Sequence, residues 1–543
     1  AMNLWPTSAP TIAKAARYAA LVIFVLVAFA AAPAQQSAPK PAARIWLAEP
    51  RLIAPNYVDA NGAAAPLSPS AKSPSQKSGS TRQVGPPTQI LSSGQASPRT
   101  LVSADFNGDG IADLAAGYAA PGGGGIVAVY YGSLDALAPQ SDASFRAIGR
   151  GEFPAAFLAQ ARVFSVPVVP DFLAAGNFSG KGTTDLVVAT RGASVMYILP
   201  GDGKGNFRAP QVVNLSGAVT ALAGGKLGRT NLSSNLIVGI SGPGGPSLLV
   251  YGGAAKGPKL LASFPLDGPA SSIAYGNLTG GAGADAAVVA NGDLFILSSS
   301  SMHLEKVAVP VSATAVALGS FVYDRGGRTQ MAVLTTDGSV QIIVRSGIDS
   351  RPMTPAERKA VFLAAARGLP NPVVPAPNPN EGWKVFESFN LGGPGGIPVL
   401  LRTRISSNAA DDVMVLNGTT GQMMVISHAN LPQGANTFAP GQVMTRPYAG
   451  SPVAAVSMHV NIDGRPGIVA LHQGESAPRV MMPLPDPVFN VNTTNDVVVA
   501  NACANNVANS CSLREAIIEA NADNLNDTIN VPAGTYTLTL TGP

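Results

Sequence analysis

Residues 102–116 read VSADFNGDGIADLAA, a short strand that enters a glycine- and aspartate-rich loop and a second, small-apolar strand that leaves it. The loop runs from Asp105 to Asp113, and residues with side-chain oxygens alternate with other residues along it. One strand–loop–strand frame is too small to bury its own apolar face. The fold therefore depends on whether the chain repeats this frame.

The frame recurs along the middle of the chain. Clear copies lie at residues 173–189 and 273–290, and weaker copies at residues 222–239, 316–334, 400–416 and 456–470. We call the last residue of each loop the loop-ending residue; the seven are Asp113, Asp185, Asn235, Asp285, Gln330, Asp412 and Gly467. Their separations of 72, 50, 50, 45, 82 and 55 residues indicate a period near 50 residues with two insertions.

Further alternating stretches follow each loop, for example at residues 126–131, 195–199 and 247–251, and turn residues bound them. Four short strands in about 50 residues make one blade of a propeller, in which neighbouring blades cover both faces of each sheet. With 59 Gly, 46 Pro and only 12 % charged residues, a helical bundle is excluded. We predict an all-β fold, a seven-bladed β-propeller over residues 100–487.

The two long intervals predict insertions, at residues 133–169 and 351–383. The second begins with Thr354, Pro355 and Glu357 in a capping-box pattern, which predicts a helix that ends at Gly368. This helix either decorates the surface or forms part of a binding face.

The first loop is a candidate calcium site. Asp105, Asn107, Asp109 and Asp113 occupy loop positions 1, 3, 5 and 9, and the carbonyl of Ile111 occupies position 7. Calcium takes six to eight oxygen ligands from such groups, and three carboxylates this close would repel one another without a cation. The alternative is an Asx-rich turn that only hydrogen-bonds its own backbone. We predict bound Ca²⁺ here.

The other loops do not keep this ligand set. Lys181 stands at position 5 of the second loop, Gly281 at position 5 of the fourth, and Gly467 replaces the terminal carboxylate of the seventh. These loops are predicted to be structural turns.

The D-x-N-G-D-G-x-x-D pattern followed by a small-apolar strand resembles the FG-GAP or VCBS repeat of the integrin α-chain propeller and its bacterial relatives. Residues 201–207, GDGKGNF, are similar to the glycine-rich turn ending in Phe that such repeats carry. The resemblance covers about residues 100–484. It implies a seven-bladed propeller with calcium loops between blade strands, and a role in adhesion or ligand display.

The N-terminus has the pattern of an export signal. Lys14 and Arg17 precede an apolar run at residues 18–32, and residues 32–34 form an A-x-A cleavage site. We predict a signal peptide at residues 1–34, with an uncleaved anchor or a buried helix as alternatives. Residues 35–99 are predicted to be a Pro-, Ser- and Ala-rich linker, in which only the short apolar patch at residues 45–58 could dock elsewhere.

After residue 487 the composition turns to Asn, Thr and Val. Residues 511–516 resemble the CSLREA motif found near the start of bacterial surface β-helices. The resemblance implies that residues 488–543 form the capped first coil of a right-handed parallel β-helix, with Ser512 capping a short helix and residues 528–540 as the first rung. We expect the sequence to be a fragment of a longer surface protein.

The only two cysteines, Cys503 and Cys511, lie eight residues apart. In an exported chain we predict a disulfide between them. Metal binding is the alternative, but neither a His nor a third Cys is near.

The chain lacks the usual catalytic motifs. Four histidines are scattered, and no H-E-x-x-H, G-x-S-x-G or P-loop pattern occurs. Its 35 basic and 31 acidic side chains show no basic cluster, which argues against nucleic-acid binding.

We therefore expect a secreted or cell-surface, non-catalytic module, monomeric and without a membrane span in the mature chain, that binds extracellular protein or polysaccharide. One alternative is the targeting module of a carbohydrate-active enzyme whose catalytic β-helix is missing here; another is a purely structural stalk.

Overall fold

The computed structural model describes most of the chain from residue 45 onward. The described residues are 45–60, 85–148, 150, 152–228, 233–255, 257–279, 283–349, 351, 353–367, 369, 372–373, 381–392, 399–406, 408, 410–429, 440–484, 488–500, 502–504, 507–522 and 527–540. The predicted signal peptide lies outside them. The described residues form two compact units, one within residues 43–485 and one within residues 486–543.

The first unit is built from seven β-sheets. Two short strands come first in the chain: β1 (Arg51–Leu52) and β2 (Asn56–Asp59). The strands of blades 1 and 2 are β3 (Ser97–Ala104), β4 (Asp113–Ala119), β5 (Gly125–Gly132), β6 (Phe157–Val166), β7 (Phe172–Gly176), β8 (Asp185–Ala189), β9 (Val195–Leu199) and β10 (Gln211–Asn214). Those of blades 3 and 4 are β11 (Ala218–Gly225), β12 (Asn235–Gly242), β13 (Gly245–Gly252), β14 (Lys259–Pro265), β15 (Ala270–Gly276), β16 (Asp285–Ala290), β17 (Asp293–Ser298) and β18 (His303–Lys306).

Blades 5 to 7 repeat this order. Their strands are β19 (Ala313–Gly319), β20 (Gln330–Thr335), β21 (Ser339–Arg345), β22 (Trp383–Asn390), β23 (Val399–Thr403), β24 (Asp412–Asn417), β25 (Gln422–His428), β26 (Gly441–Pro447), β27 (Pro452–Met458), β28 (Gly467–His472) and β29 (Arg479–Met481). The first strands of neighbouring blades contact one another around the whole circle, including β27 of blade 7 with β3 of blade 1. The predicted seven-bladed propeller is therefore confirmed.

The second strand of each blade lies in the core of the ring. Every residue of β16, β20, β24 and β28 is buried. Adjacent blades supply the cover: Ile237 of blade 3 and Val288 of blade 4, for example, belong to one apolar cluster. Because these strands are buried on both faces, their sequences are nearly continuous runs of apolar residues.

The N-terminal segment closes the ring, although the sequence analysis placed it in a linker. Strand β1 pairs antiparallel with β29 as the outer strand of blade 7, and β2 pairs parallel with β6 of blade 1. Leu47, which is 1 % exposed, packs into the core between blades 6 and 7. A first helix, α1 (Pro87–Ser92), buries Ile90 and Leu91 against blade 1. The apolar patch at residues 45–58, which was expected to be able to dock, thus includes Leu47, β1 and most of β2, whereas α1 was not predicted.

Helices occupy both predicted insertions. The first contains α2 (Leu134–Leu137) and α3 (Asp142–Ile148), and its second half contains β6, the fourth strand of blade 1. The second contains α4 (Pro355–Ala366), and the predicted capping box is present. The Thr354 hydroxyl accepts a hydrogen bond from Glu357 N, and the Glu357 carboxylate accepts one from Thr354 N. An ion pair between Arg325 and Glu357 ties the helix to blade 5.

The second unit contains a short helix, α5 (Leu513–Ala522), and two parallel strands, β30 (Val488–Asn490) and β31 (Thr528–Asn530). The predicted disulfide between Cys503 and Cys511 is present. The Ser512 hydroxyl accepts a hydrogen bond from Glu515 N, as expected of a helix cap. In the predicted rung at residues 528–540, the described residues after β31 form no regular strand.

Candidate functional site in the blade loops

The loop between β3 and β4 carries the candidate calcium ligands. Gly108 and Gly110 have φ angles of 79° and 85°, a left-handed conformation that glycine adopts without strain. The turns they make bring two N–H groups to Asp105, whose Oδ1 accepts a hydrogen bond from Gly108 N (2.6 Å) and whose Oδ2 accepts one from Gly110 N (2.9 Å).

Asn107 and Asp109 also bond within the loop. Asn107 Oδ1 accepts a hydrogen bond from Asp109 N (3.0 Å), and Asp109 Oδ1 accepts one from Ile111 N (2.8 Å). Asn107 Nδ2 donates to Asp109 Oδ2 (2.8 Å). These are the bonds of the Asx-rich turn that the sequence analysis left open as the alternative.

Asp113, the fourth predicted side-chain ligand, is buried instead of lying at the loop surface. Its Oδ2 accepts a hydrogen bond from Phe106 N (2.9 Å), and its Oδ1 accepts one from Gly132 N (2.8 Å) at the end of β5. Burial raises the pKa of Asp113 to about 6; these two bonds oppose the rise, and the charges of Asp109 and Asp105 add to it. Asp113 therefore joins the loop to the third strand of its blade.

The same arrangement recurs in other blades. Asp185 accepts hydrogen bonds from Ser179 N (2.6 Å) and from Gly201 N (3.0 Å), which follows β9. Asp285 accepts them from Leu278 N (3.0 Å) and from Ser299 N (2.8 Å), which follows β17. In each of these three blades a buried carboxylate accepts hydrogen bonds from N–H groups of the loop and of the end of the third strand.

In three further blades the loop-ending residue also forms hydrogen bonds that close the loop, but with different partners. Asn235 accepts from Leu227 N and donates to the Tyr251 carbonyl. Gln330 both accepts from and donates to the backbone of Val322. In blade 6, Asp412 accepts hydrogen bonds from Ile405 N and Ser406 N.

Blade 7 is the exception, because its loop-ending residue is Gly467. A Cβ atom there would meet the Met481 carbonyl oxygen at 2.8 Å. The loop-ending residue thus closes the loop in six blades, a role that loop spacing alone did not reveal.

The donor chemistry of the first loop suits calcium. Asp109 is exposed, Asp105 and Asn107 are half-buried, and their carboxylate and amide oxygens are the ligand types calcium prefers. In the described part of the chain no three His, Cys, Asp or Glu side chains converge closely enough to hold a metal ion. A carboxylate oxygen has lone pairs for both an N–H group and a cation, so binding would require the loop side chains to turn toward the ion.

The glycine-rich turn at residues 201–207 packs against this loop from blade 2. Gly205 N donates a hydrogen bond to the Phe106 carbonyl (3.2 Å), and the Tyr131 hydroxyl donates one to the Gly205 carbonyl (2.6 Å). The rings of Phe106 and Phe207 make an edge-to-face contact at 5.7 Å. The sequence identified this turn by resemblance only; the structure shows that it joins blade 2 to the blade 1 loop.

Comparison with known proteins supports the fold. The FG-GAP repeat family model matches residues 97–130, which cover the first two strands and most of the third strand of blade 1. No curated protein matches the chain. In the described residues no helix has the length and apolar character needed to cross a membrane.

The chain matches chains in two solved structures: the crystal structures of BBS1N in complex with ARL6DN, one soaked with mercury and the other with lead. Each match is 12 % identical with a TM-score of 0.40 and covers 70 % of this chain, and it covers 90 % and 91 % of the respective matched chains. At this similarity neither carries functional information. An FG-GAP repeat within a seven-bladed β-propeller is a fold that suggests a binding module.

Proposed function

We propose that this chain is a secreted or cell-surface, calcium-stabilised β-propeller that serves as a non-catalytic binding or adhesion module for protein or carbohydrate. The FG-GAP match and the closed ring support a binding role. Because the blades repeat one strand order, their first loops gather at one end of the ring. Such a cluster of loops on a rigid scaffold is a common place for ligand recognition.

The calcium part of this proposal rests on the first loop. Asp105, Asn107, Asp109 and the carbonyl of Ile111 would hold the ion, with Asp113 fixing the loop from beneath. A bound cation would offset the repulsion among the carboxylates and stiffen the loop against the blade 2 turn. Extracellular modules often bind calcium at about 10⁻⁴–10⁻³ M, which is close to extracellular levels.

The extracellular location rests on the N-terminal sequence and on the disulfide between Cys503 and Cys511, a bond that persists in oxidising compartments. For the second unit we propose the capped start of a β-helix. Its helix α5 and its parallel strand pair β30–β31 support this assignment.

The calcium proposal is tested by thermal melting of the full chain with and without Ca²⁺. We expect Ca²⁺ to raise the Tm of the wild type and to leave that of Asp109→Ala unchanged. Asp267→Asn, which changes an exposed carboxylate elsewhere on the ring, is the matched control and should respond like the wild type. Equal melting of the wild type with and without Ca²⁺ would contradict the proposal.

The binding role is tested by incubating the full chain with panels of polysaccharides and of extracellular matrix proteins. We expect saturable retention on members of at least one panel. Failure to bind either panel would favour a purely structural role.

A further inference from the structure

A groove of about 540 Å³ lies between the outer parts of blades 4 and 5. One wall is formed by β18 and the residues just before it. The other wall is formed by Arg345 at the end of β21 and by Glu381, Gly382 and Trp383 where the chain returns from the helical insertion. The volume lies within the range of small-molecule sites in proteins, about 300–1,000 Å³.

The blade 5 wall is fixed by contacts around Arg345. Its guanidinium stacks on the Trp383 ring at 4.0 Å from the centroid. It donates hydrogen bonds to the Glu381 carbonyl (2.7 Å) and to the Leu278 carbonyl of blade 4 (3.0 Å). Because a guanidinium carries five N–H donors, these bonds leave others free for a ligand.

A second set of contacts holds the backbone of this wall. The Glu381 carboxylate accepts hydrogen bonds from Arg328 Nη1 (2.7 Å) and from Gly347 N (2.8 Å). Arg328 is itself paired with Asp324 (2.7 Å). The groove is therefore pre-formed, which lowers the entropic cost of binding.

The blade 4 wall offers groups that the rest of the fold does not use. Ser301, His303 and Glu305 line the groove. The backbone of β18 pairs with β17, but within the described residues none of these three side chains makes a hydrogen bond or an ion pair, and the Glu305 charge acts on the Arg345 guanidinium. Lys306, by contrast, is engaged by Asp293 at 2.6 Å. Apolar side chains, including Ile296 and Val307, also line the groove.

This mixture decides the class of ligand. Glu305 and Arg345 carry opposite charges and Lys306 is paired with Asp293, so the lining favours neither an anion nor a cation, and the many polar groups disfavour a purely apolar molecule. A peptide adding to the sheet would have to pair with β18, which has four residues and carries charged Glu305 and Lys306, features that block edge pairing. A sugar ring presents both hydroxyls and apolar C–H faces, and the groove offers partners for both.

We infer that the groove between blades 4 and 5 binds a neutral saccharide unit. Glu305 would accept hydrogen bonds from its hydroxyls, and His303, Ser301 and Arg345 would complete the polar contacts. This inference rests on the proposed binding function and names its ligand class, but it does not depend on calcium.

The test is ligand-observed saturation-transfer NMR of the full chain with methyl glucoside, methyl mannoside, methyl galactoside and N-acetylglucosamine. We expect at least one sugar to bind the wild type, and the double variant His303→Ala/Glu305→Gln to bind it at least tenfold more weakly. Both residues are exposed, so the variant should fold. Asp267→Asn is the matched control and should bind as the wild type does.

The outcomes separate the two proposals. If the protein is retained on polysaccharide or protein but the double variant binds like the wild type, the groove assignment is wrong while the binding role stands. If the groove variant loses only binding of a protein, the ligand is a peptide and the saccharide assignment is wrong. If neither panels nor sugars bind, both proposals fail.

Discussion

The aspartates of the blade loops differ in their structural role. At position 5 of the first loop Asp109 is exposed and bonds only its own loop, whereas Asp113 and Asp185 are fully buried and bond N–H groups from two segments. A buried N–H group without a partner is costly. Loop spacing predicts Asp109 and Asp113 alike as ligands of one ion, because spacing does not report how deeply each side chain is buried.

The first prediction concerns the buried loop-ending aspartates. Asp185→Ala leaves the N–H groups of Ser179 and Gly201 without their acceptor, so we expect the free energy of unfolding to fall by about 2–4 kcal/mol. Asp109→Ala should cost no more than about 0.5–1 kcal/mol in the presence of EDTA. Urea denaturation of the two variants and the wild type measures both values. Equal losses would show that the two aspartates have the same role.

The raised pKa of Asp113 makes the second prediction. Because its pKa of about 6 in the fold exceeds the ordinary value of 3.8, its contribution to stability is present below pH 3.8 and is lost as the pH rises through about 6. Asp113→Asn removes this titration. In EDTA, we expect the Tm of the wild type, relative to that of Asp113→Asn, to fall between about pH 5 and about pH 7.5.

The comparison with Asp113→Asn is needed because other groups titrate in the same range. Burial lowers the pKa of His472, and this gives the opposite slope in both proteins. A Tm difference between wild type and Asp113→Asn that is the same at both pH values would contradict the second prediction.

At the scale of elements, the sequence predicted the buried strands better than the exposed ones. β5, β9 and β13 were found as apolar stretches because neighbouring blades cover them. The outer strands β10 and β18 read QVVN and HLEK and are largely exposed, so they carry no clear apolar period. The helix α4 was predicted because its capping box is a local signal, independent of tertiary contacts.

The third prediction concerns the contact between the glycine-rich turn of blade 2 and the first loop of blade 1. Gly205 has a φ of 81°, and a Cβ atom there would lie 2.6 Å from the Tyr131 ring. Gly182 has the same φ but an open surrounding, so Gly182→Ala should cost only the backbone strain of about 1–2 kcal/mol. Gly205→Ala should cost about 1–3 kcal/mol more because of the steric conflict. Urea denaturation that finds equal losses would refute a tight contact between these blades.

At the scale of the whole molecule, the sequence predicted the number of blades but not how the ring is closed. The seven loop-ending residues predicted seven blades. Six of them form hydrogen bonds that close their own loop, and the seventh, Gly467, stands where a larger residue would clash with the backbone. The closing strand β1 has two residues and lies far from blade 7 in the sequence, so the composition indicated that residues 45–58 could dock but did not reveal blade 7 as their partner. The β-helix expectation depended on a motif resemblance, and the described residues of the second unit show only one parallel strand pair and a helix.

Ring closure by the N-terminal segment makes the last prediction. Leu47 is 1 % exposed between blades 6 and 7, and its carbonyl accepts a hydrogen bond from Arg446 (2.6 Å), whereas Leu52 in β1 is 57 % exposed. Leu47→Ala removes buried apolar contacts, so we expect it to lower the free energy of unfolding by about 2–5 kcal/mol. Leu52→Ala leaves the backbone pairing with β29 intact and should change it by less than about 0.5 kcal/mol. Urea denaturation of both variants in the full chain measures the difference; if Leu47→Ala is as mild as Leu52→Ala, residues 45–52 do not hold the ring together and the propeller closes through its blades alone.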